Sequence, residues 1–109
     1  MSRGAFALAV VSTVVCGAFV GCADSVIPHP REPHVTAART HYPDATRALL
    51  EEGRGHYIDA CGGCHAVPLP SSHRAEDWPA VVGSMSARAH LDPARRRAIE
   101  AYLIAVAPQ

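Results

Sequence analysis

The chain has 109 residues, ten acidic and ten basic side chains, a formal net charge of zero and four cysteines. Every basic residue is an arginine, and the even charge balance excludes the strongly cationic surface of a nucleic-acid binder. There is room for one domain, and a domain this small buries too little apolar surface to manage easily without a disulfide, a metal or a cofactor in its core.

Arg3 gives a short positive start, and Ala5 to Val20 then run without a charge, the layout of a secretory signal. The run ends in Phe19-Val20-Gly21-Cys22, which resembles the bacterial lipobox. That resemblance implies a lipoprotein-type signal peptide over residues 1–21, diacylglycerol on Cys22, and anchorage on the periplasmic side of a bacterial membrane. Each buried methylene of such a lipid contributes about 0.8 kcal/mol, so a triacylated terminus would hold a protein of this size in place. Cys16, inside the discarded run, needs no function.

Residues 22–42 carry Pro28, Pro30 and Pro33 among polar residues without a helical or alternating apolar period. The expectation is a lipidated N-terminus followed by a flexible Pro-rich tether that does not fold. In a polyproline-like conformation it would reach roughly 60 Å. His29, His34 and His41 have irregular spacing and read as solvated spacers.

A folded domain is expected over residues 43–109. Pro43 and Asp44 form a helix start, and Leu49, Leu50, Gly53, Tyr57 and Cys61 recur at helical intervals. Gly53 costs about 1 kcal/mol relative to Ala inside a helix, which asks for a packing reason such as the close approach of another helix. A second helix is signalled by Trp78, Val81, Val82 and Met85, with Asp77 as its cap and Pro79 in its first turn. The third opens with Asp92-Pro93 and carries Ile99, Tyr102, Leu103 and Val106 on one face. With no strand pattern, the domain should be all-α, with about three helices.

The chemistry is concentrated in Cys61-Gly62-Gly63-Cys64-His65. Two thiols separated by two residues can add to the two vinyl groups of one haem while the next His reaches the iron, the signature of c-type haem attachment. His65 is then the proximal ligand, and Gly62 and Gly63 let the loop bend tightly. A thioredoxin-like pair, a zinc half-site and a plain disulfide compete. The first belongs near a βαβ unit, and the second needs four ligands where the mature chain retains no second cysteine pair. Export suits the haem reading, since bacterial c-haem is attached outside the cytoplasmic membrane.

From about residue 43 onward the chain resembles a class I bacterial cytochrome c. Gly53, Tyr57 and Cys61 reproduce the family's spacing of glycine and aromatic before the first haem cysteine. The resemblance implies a last helix crossing at Gly53 through Ile99, Tyr102 and Leu103. The stretch from Trp78 to Leu103 also resembles haem domains of small dihaem cytochromes c, although one attachment motif is present. Only nineteen residues separate His65 from Met85, shorter than usual for class I, so several family loops are absent and a haem edge should be more exposed.

The resemblance implies Met85 as sixth iron ligand, a thioether that raises the reduction potential; the alternative is that it fills core. His90 is the main competing ligand, with His73, His56 and an open position behind it. Pro68 or Pro70 would offer a carbonyl to the ring proton of His65, and Trp78 would place its indole N–H on a haem propionate or anchor the core. Arg95, Arg96 and Arg97 would either steer an acidic partner or form a solvated face. The implied function is a single-electron carrier, not an enzyme, with one haem c, membrane contact through Cys22 and redox partner proteins or a larger membrane redox complex. The alternative is a haem-based gas sensor or small haem enzyme with an open sixth iron position, for which His90 or Arg88 would be the polar groups.

Overall fold

In the computed structural model, residues 27–63 and 66–109 are described. The signal segment, Cys22, Cys64 and His65 lie outside them. The described residues form four α-helices and no strand: α1 (Glu32–Ala38), α2 (Arg47–Cys61), α3 (Trp78–Ser86) and α4 (Pro93–Val106). The expected all-α class is therefore correct, and no helix among these residues is long and apolar enough to cross a membrane.

The organising element is α4. Its cap is the expected one, with the Asp92 carboxylate accepting from the Arg95 N–H at 2.9 Å and Pro93 at the first helical position. Ala98 to Ala105 are buried without a break, so α4 is enclosed on every side, not on one face as its periodicity suggests. One side carries Ile99, Tyr102, Leu103 and Ile104 into a cluster with Tyr57, Trp78 and Val82. The other carries Ala101 and Ala105 into a second cluster with Val35, Ala38, Ala45 and Leu50.

That second cluster corrects the reading of residues 22–42 as a tether, because from Ile27 onward this segment belongs to the domain. The Arg54 Nε–H donates to the Ile27 carbonyl at 3.0 Å and the Tyr102 hydroxyl to the Pro28 carbonyl at 2.7 Å. Pro30 is fully buried. Pro33 stands in the first turn of α1, where a missing N–H costs nothing. Val35 and Ala38, three residues apart, then fall on one face against α4.

Buried Glu100 on α4 completes this join. It accepts from the Tyr42 hydroxyl at 2.9 Å and from the Arg96 Nε–H at 2.7 Å. Arg97 pairs with Asp44 and lies 5.1 Å over the Tyr42 ring, while Arg95 pairs with Asp92. The arginine run thus forms a largely solvated face, the second of its two expected roles, and each of its side chains is paired with a carboxylate of the domain.

Two helix starts also shift. The cap of α2 is Thr46, whose hydroxyl accepts from the Leu49 N–H at 3.1 Å, and Pro43 and Asp44 lie in the preceding turn. Asp77 makes no side-chain cap for α3, because a 3₁₀ turn over Ala75–Asp77 runs straight into that helix. Gly53 faces α4 as expected. A Cβ placed there would lie 2.0 Å from the Ala98 carbonyl oxygen and 2.9 Å from the Tyr102 Cβ, so the two helix backbones touch at this point.

Candidate functional site

Packing of α2 and α3 on one side of α4 leaves a half-open cleft of about 370 Å³. Its walls are almost wholly apolar: Tyr57, Ala60 and Cys61 from α2, Val81, Val82 and Met85 from α3, and Ile99 from α4. Loop residues Pro68, His73, Ala89 and Leu91 and the side chain of Arg88 complete the wall. The sequence reading thus places Cys61, Met85, Pro68 and Trp78 around one space, and the structure brings these four together.

Cys61 is the last residue of α2 and is half-buried. Burial pushes its thiol pKa up, and the carbonyl end of the helix dipole disfavours a thiolate there. Redox-pair and zinc-binding cysteines need the opposite environment, in which the thiolate is stabilised. Among the described residues no group of three or more His, Cys, Asp or Glu side chains could hold a metal ion. Helical bonding carries one residue past Cys61: the Gly62 N–H donates back to the Ile58 carbonyl at 3.1 Å, and a Cβ on Gly62 would sit 2.7 Å from that same oxygen. Gly63 faces open space, so only the first of the two motif glycines is required by crowding.

Aromatic donors fix the loop beyond the motif. The Tyr57 hydroxyl donates to the Pro68 carbonyl, and burial pushes the Tyr57 pKa upward. The Trp78 indole N–H donates to the Pro70 carbonyl at 3.0 Å. Both carbonyls expected to orient His65 thus accept from tyrosine or tryptophan, each keeping one lone pair. Trp78 is buried and lines the cleft with its N–H spent on the loop, the core-anchor alternative of the sequence reading. Tyr57 meets Trp78 edge-on, centroids 6.0 Å apart, and Tyr102 lies 6.3 Å behind it. Tyr57 and Trp78 form the floor, and Tyr102 backs it from the core.

Met85 stands in the last full turn of α3 and is 41% exposed, so it rims the cleft and is not packed as core. His90 is exposed, has a left-handed backbone (φ 52°) and is not part of the wall. His56 lies 3.3 Å from Glu52 and lines a neighbouring polar cleft of about 310 Å³ with Asp59 and Arg95. His73, which the sequence places behind His90 as a ligand, lines the apolar cleft, its ring 4.9 Å from that of Trp78 and nearly perpendicular to it. No periodic signal marks it, since it lies in a loop between two 3₁₀ turns.

The wall suits a flat apolar macrocycle. It offers carbon surface on three sides, a neutral thiol at the end of α2, and one thioether and one imidazole as soft and borderline ligands for a transition metal. Small-molecule cavities run from about 300 to 1,000 Å³, so this one is at the small end. A group as large as a porphyrin would fill it and leave one edge at the mouth.

No protein-family model matches the chain, nor does any curated protein or any solved structure.

Proposed function

We propose that this chain is an exported c-type cytochrome, a single-electron carrier with one haem c attached through Cys61 and Cys64. His65 is the proximal iron ligand and Met85 the sixth. The observation that carries this reading is that the first cysteine of a Cys-x-x-Cys-His sequence opens directly into an apolar cleft rimmed by Met85. When bound, the haem supplies a one-electron iron couple.

The chain's own residues do the rest. Val81, Val82, Ile99 and Trp78 exclude water, which lowers the local dielectric and makes the charged state costlier. The thioether of Met85 raises the potential further. Tyr57 holds the post-motif loop against the floor through Pro68. Among the described residues the wall's titratable groups are His73, Arg88 and two that burial keeps protonated, Tyr57 and Cys61, so the site is suited to electron exchange more than to turnover. Lipid on Cys22 would keep the domain on the periplasmic side of a membrane, beside redox partner proteins or as part of a larger redox complex.

The second reading, a sensor or small haem enzyme with an open sixth position, draws on Arg88. It lines the cleft and has no ion-pair partner among the described residues, whereas His90 is off the wall. Optical and near-infrared spectra of protein matured in a host that attaches c-haem separate the two. The carrier is expected to show sharp ferrous bands and a weak ferric thioether-to-iron absorption that disappears in Met85→Ala. A high-spin wild type that binds carbon monoxide at once would favour the sensor, and a chain without covalent haem would end both readings.

A further inference from the structure

Six of the seven histidines lie among the described residues, and they are not equivalent. His29 contacts Glu51, His34 accepts from the Arg31 N–H, and His56 contacts Glu52. His41 is exposed in the turn after α1, and His90 is exposed in the turn after α3. Only His73 lines the apolar cleft.

The surroundings of His73 leave its ring available. It follows the 3₁₀ turn Pro70–Ser72 with an extended backbone, φ −135°, and its side chain is exposed. Neither ring nitrogen is hydrogen-bonded to any described residue, and the ring's one aromatic neighbour is Trp78. Trp78 is pinned through its own N–H to the Pro70 carbonyl. The surface against which His73 leans is therefore fixed while His73 itself is free to rotate about its side-chain bonds. Met85, in the wall of the same cleft, stands in the last turn of a nine-residue helix and is 41% exposed.

We propose that His73 is a second iron ligand held in reserve in this cleft, taking the sixth position when Met85 leaves it. The inference rests on the haem reading above and adds to it a bis-imidazole state that the Met-ligated carrier does not have. Neutral imidazole is a strong-field ligand for haem iron, and replacing a thioether by it lowers the potential. The exchange needs no oxidant and no proton from elsewhere: one Fe–S bond breaks and one Fe–N bond forms.

The test compares ferric spectra of the matured holoprotein and three variants: Met85→Ala, Met85→Ala with His73→Phe, and Met85→Ala with His90→Ala. Phenylalanine keeps the edge contact with Trp78 while removing both nitrogens. Met85→Ala is expected to remain low-spin with an imidazole-type spectrum, and so is its combination with His90→Ala. Adding His73→Phe is expected to give a high-spin ferric haem that binds cyanide at least tenfold faster, and free imidazole is expected to restore its low-spin spectrum, which shows that the cleft is intact. A high-spin Met85→Ala, or a low-spin spectrum that survives His73→Phe, overturns the proposal. Covalent haem measured in the denatured wild type keeps the two questions apart, since its absence defeats the haem reading itself.

Discussion

Replacing Gly53 by alanine tests the contact on which the whole arrangement of α2, α4 and the cleft depends. A new Cβ would stand 2.0 Å from the Ala98 carbonyl oxygen and 2.6 Å from its carbon. Both are backbone atoms in the middle of α4, so no side-chain rotation relieves them. To reach ordinary contact the helices must separate by about 1.4 Å locally, and a gap of that size forfeits more than half of the dispersion energy between the facing atoms. Overpacking of this kind costs about 1–3 kcal/mol, and a clash with rigid backbone belongs at the upper end. Against it stands about 1 kcal/mol gained because alanine is the better helix former. The expected net loss is about 2 kcal/mol, and at about 4–8 °C per kcal/mol for a domain of this size Tm should fall by about 10 °C. Gly55, two residues on in the same helix, has nothing within 4 Å of its Cβ position. Gly55→Ala should therefore stabilise by about 0.5–1 kcal/mol. Thermal and denaturant unfolding of the matured protein measure both, and because the unfolded chains gain the same restriction, their difference isolates the contact with α4. Equal stabilisation by the two substitutions would refute the close approach.

Removal of residues 1–41 strips Val35, Ala38 and Pro30 from α4 and should cost at least about 3 kcal/mol in chemical denaturation; an unchanged midpoint would return this segment to the role of a tether. Tyr42→Phe leaves the buried Glu100 carboxylate with Arg96 as its remaining side-chain partner and is expected to lose about 1–3 kcal/mol, measured by thermal melts at neutral pH. Burial above all, and for Tyr42 the hydrogen bond to Glu100, pushes the pKa of Tyr42 and Tyr102 up to about 12. In the unfolded chain these groups ionise near their ordinary value of 10, so their contribution is complete below pH 10 and is lost as pH rises toward 12. Tm should therefore be flat to about pH 10 and then decline, with tyrosinate absorbance rising together with unfolding; a tyrosinate signal that precedes unfolding would contradict the burial. Thr46→Ala removes the side-chain acceptor of the Leu49 N–H and should cost about 1 kcal/mol in the same unfolding assays.

Where side-chain spacing carries the information, sequence and structure agree. Asp92-Pro93 marks the start of α4 to the residue, and Gly53 announces a helix crossing because only backbone contact justifies its cost. The line Trp78, Val81, Val82, Met85 gives α3 and one wall of the cleft. What escapes is packing that has no period. Helix α1 spans seven residues and buries two of its apolar side chains, too few to register between three prolines. Its existence was nonetheless implied on the other side of the interface, where Leu50, Ala101 and Ala105 needed a cover that the three-helix reading did not provide. The partners of the arginine run and of the Trp78 indole escape the sequence for a common reason. A polar group's partner depends on which backbone or carboxylate tertiary structure brings near it, and Asp44, Glu100 and the Pro70 carbonyl are distant in sequence or hidden in a loop. His73 rises above His90 for the same reason, since loop position decides which imidazole reaches the wall.

The fastening of Ile27 and Pro28 onto α2 and α4 would also set how far the domain could travel if Cys22 carries the proposed lipid. A lipid on Cys22 would be five residues from the first residue held in the fold, and five residues extend at most about 17 Å. A free twenty-residue leash would sweep roughly 60 Å. On the proposed reading, so short a mooring would hold the domain close to the bilayer surface and leave its encounters to lateral diffusion in the plane of the membrane. Redox partners of such a carrier would have to bring their own redox groups down to that height.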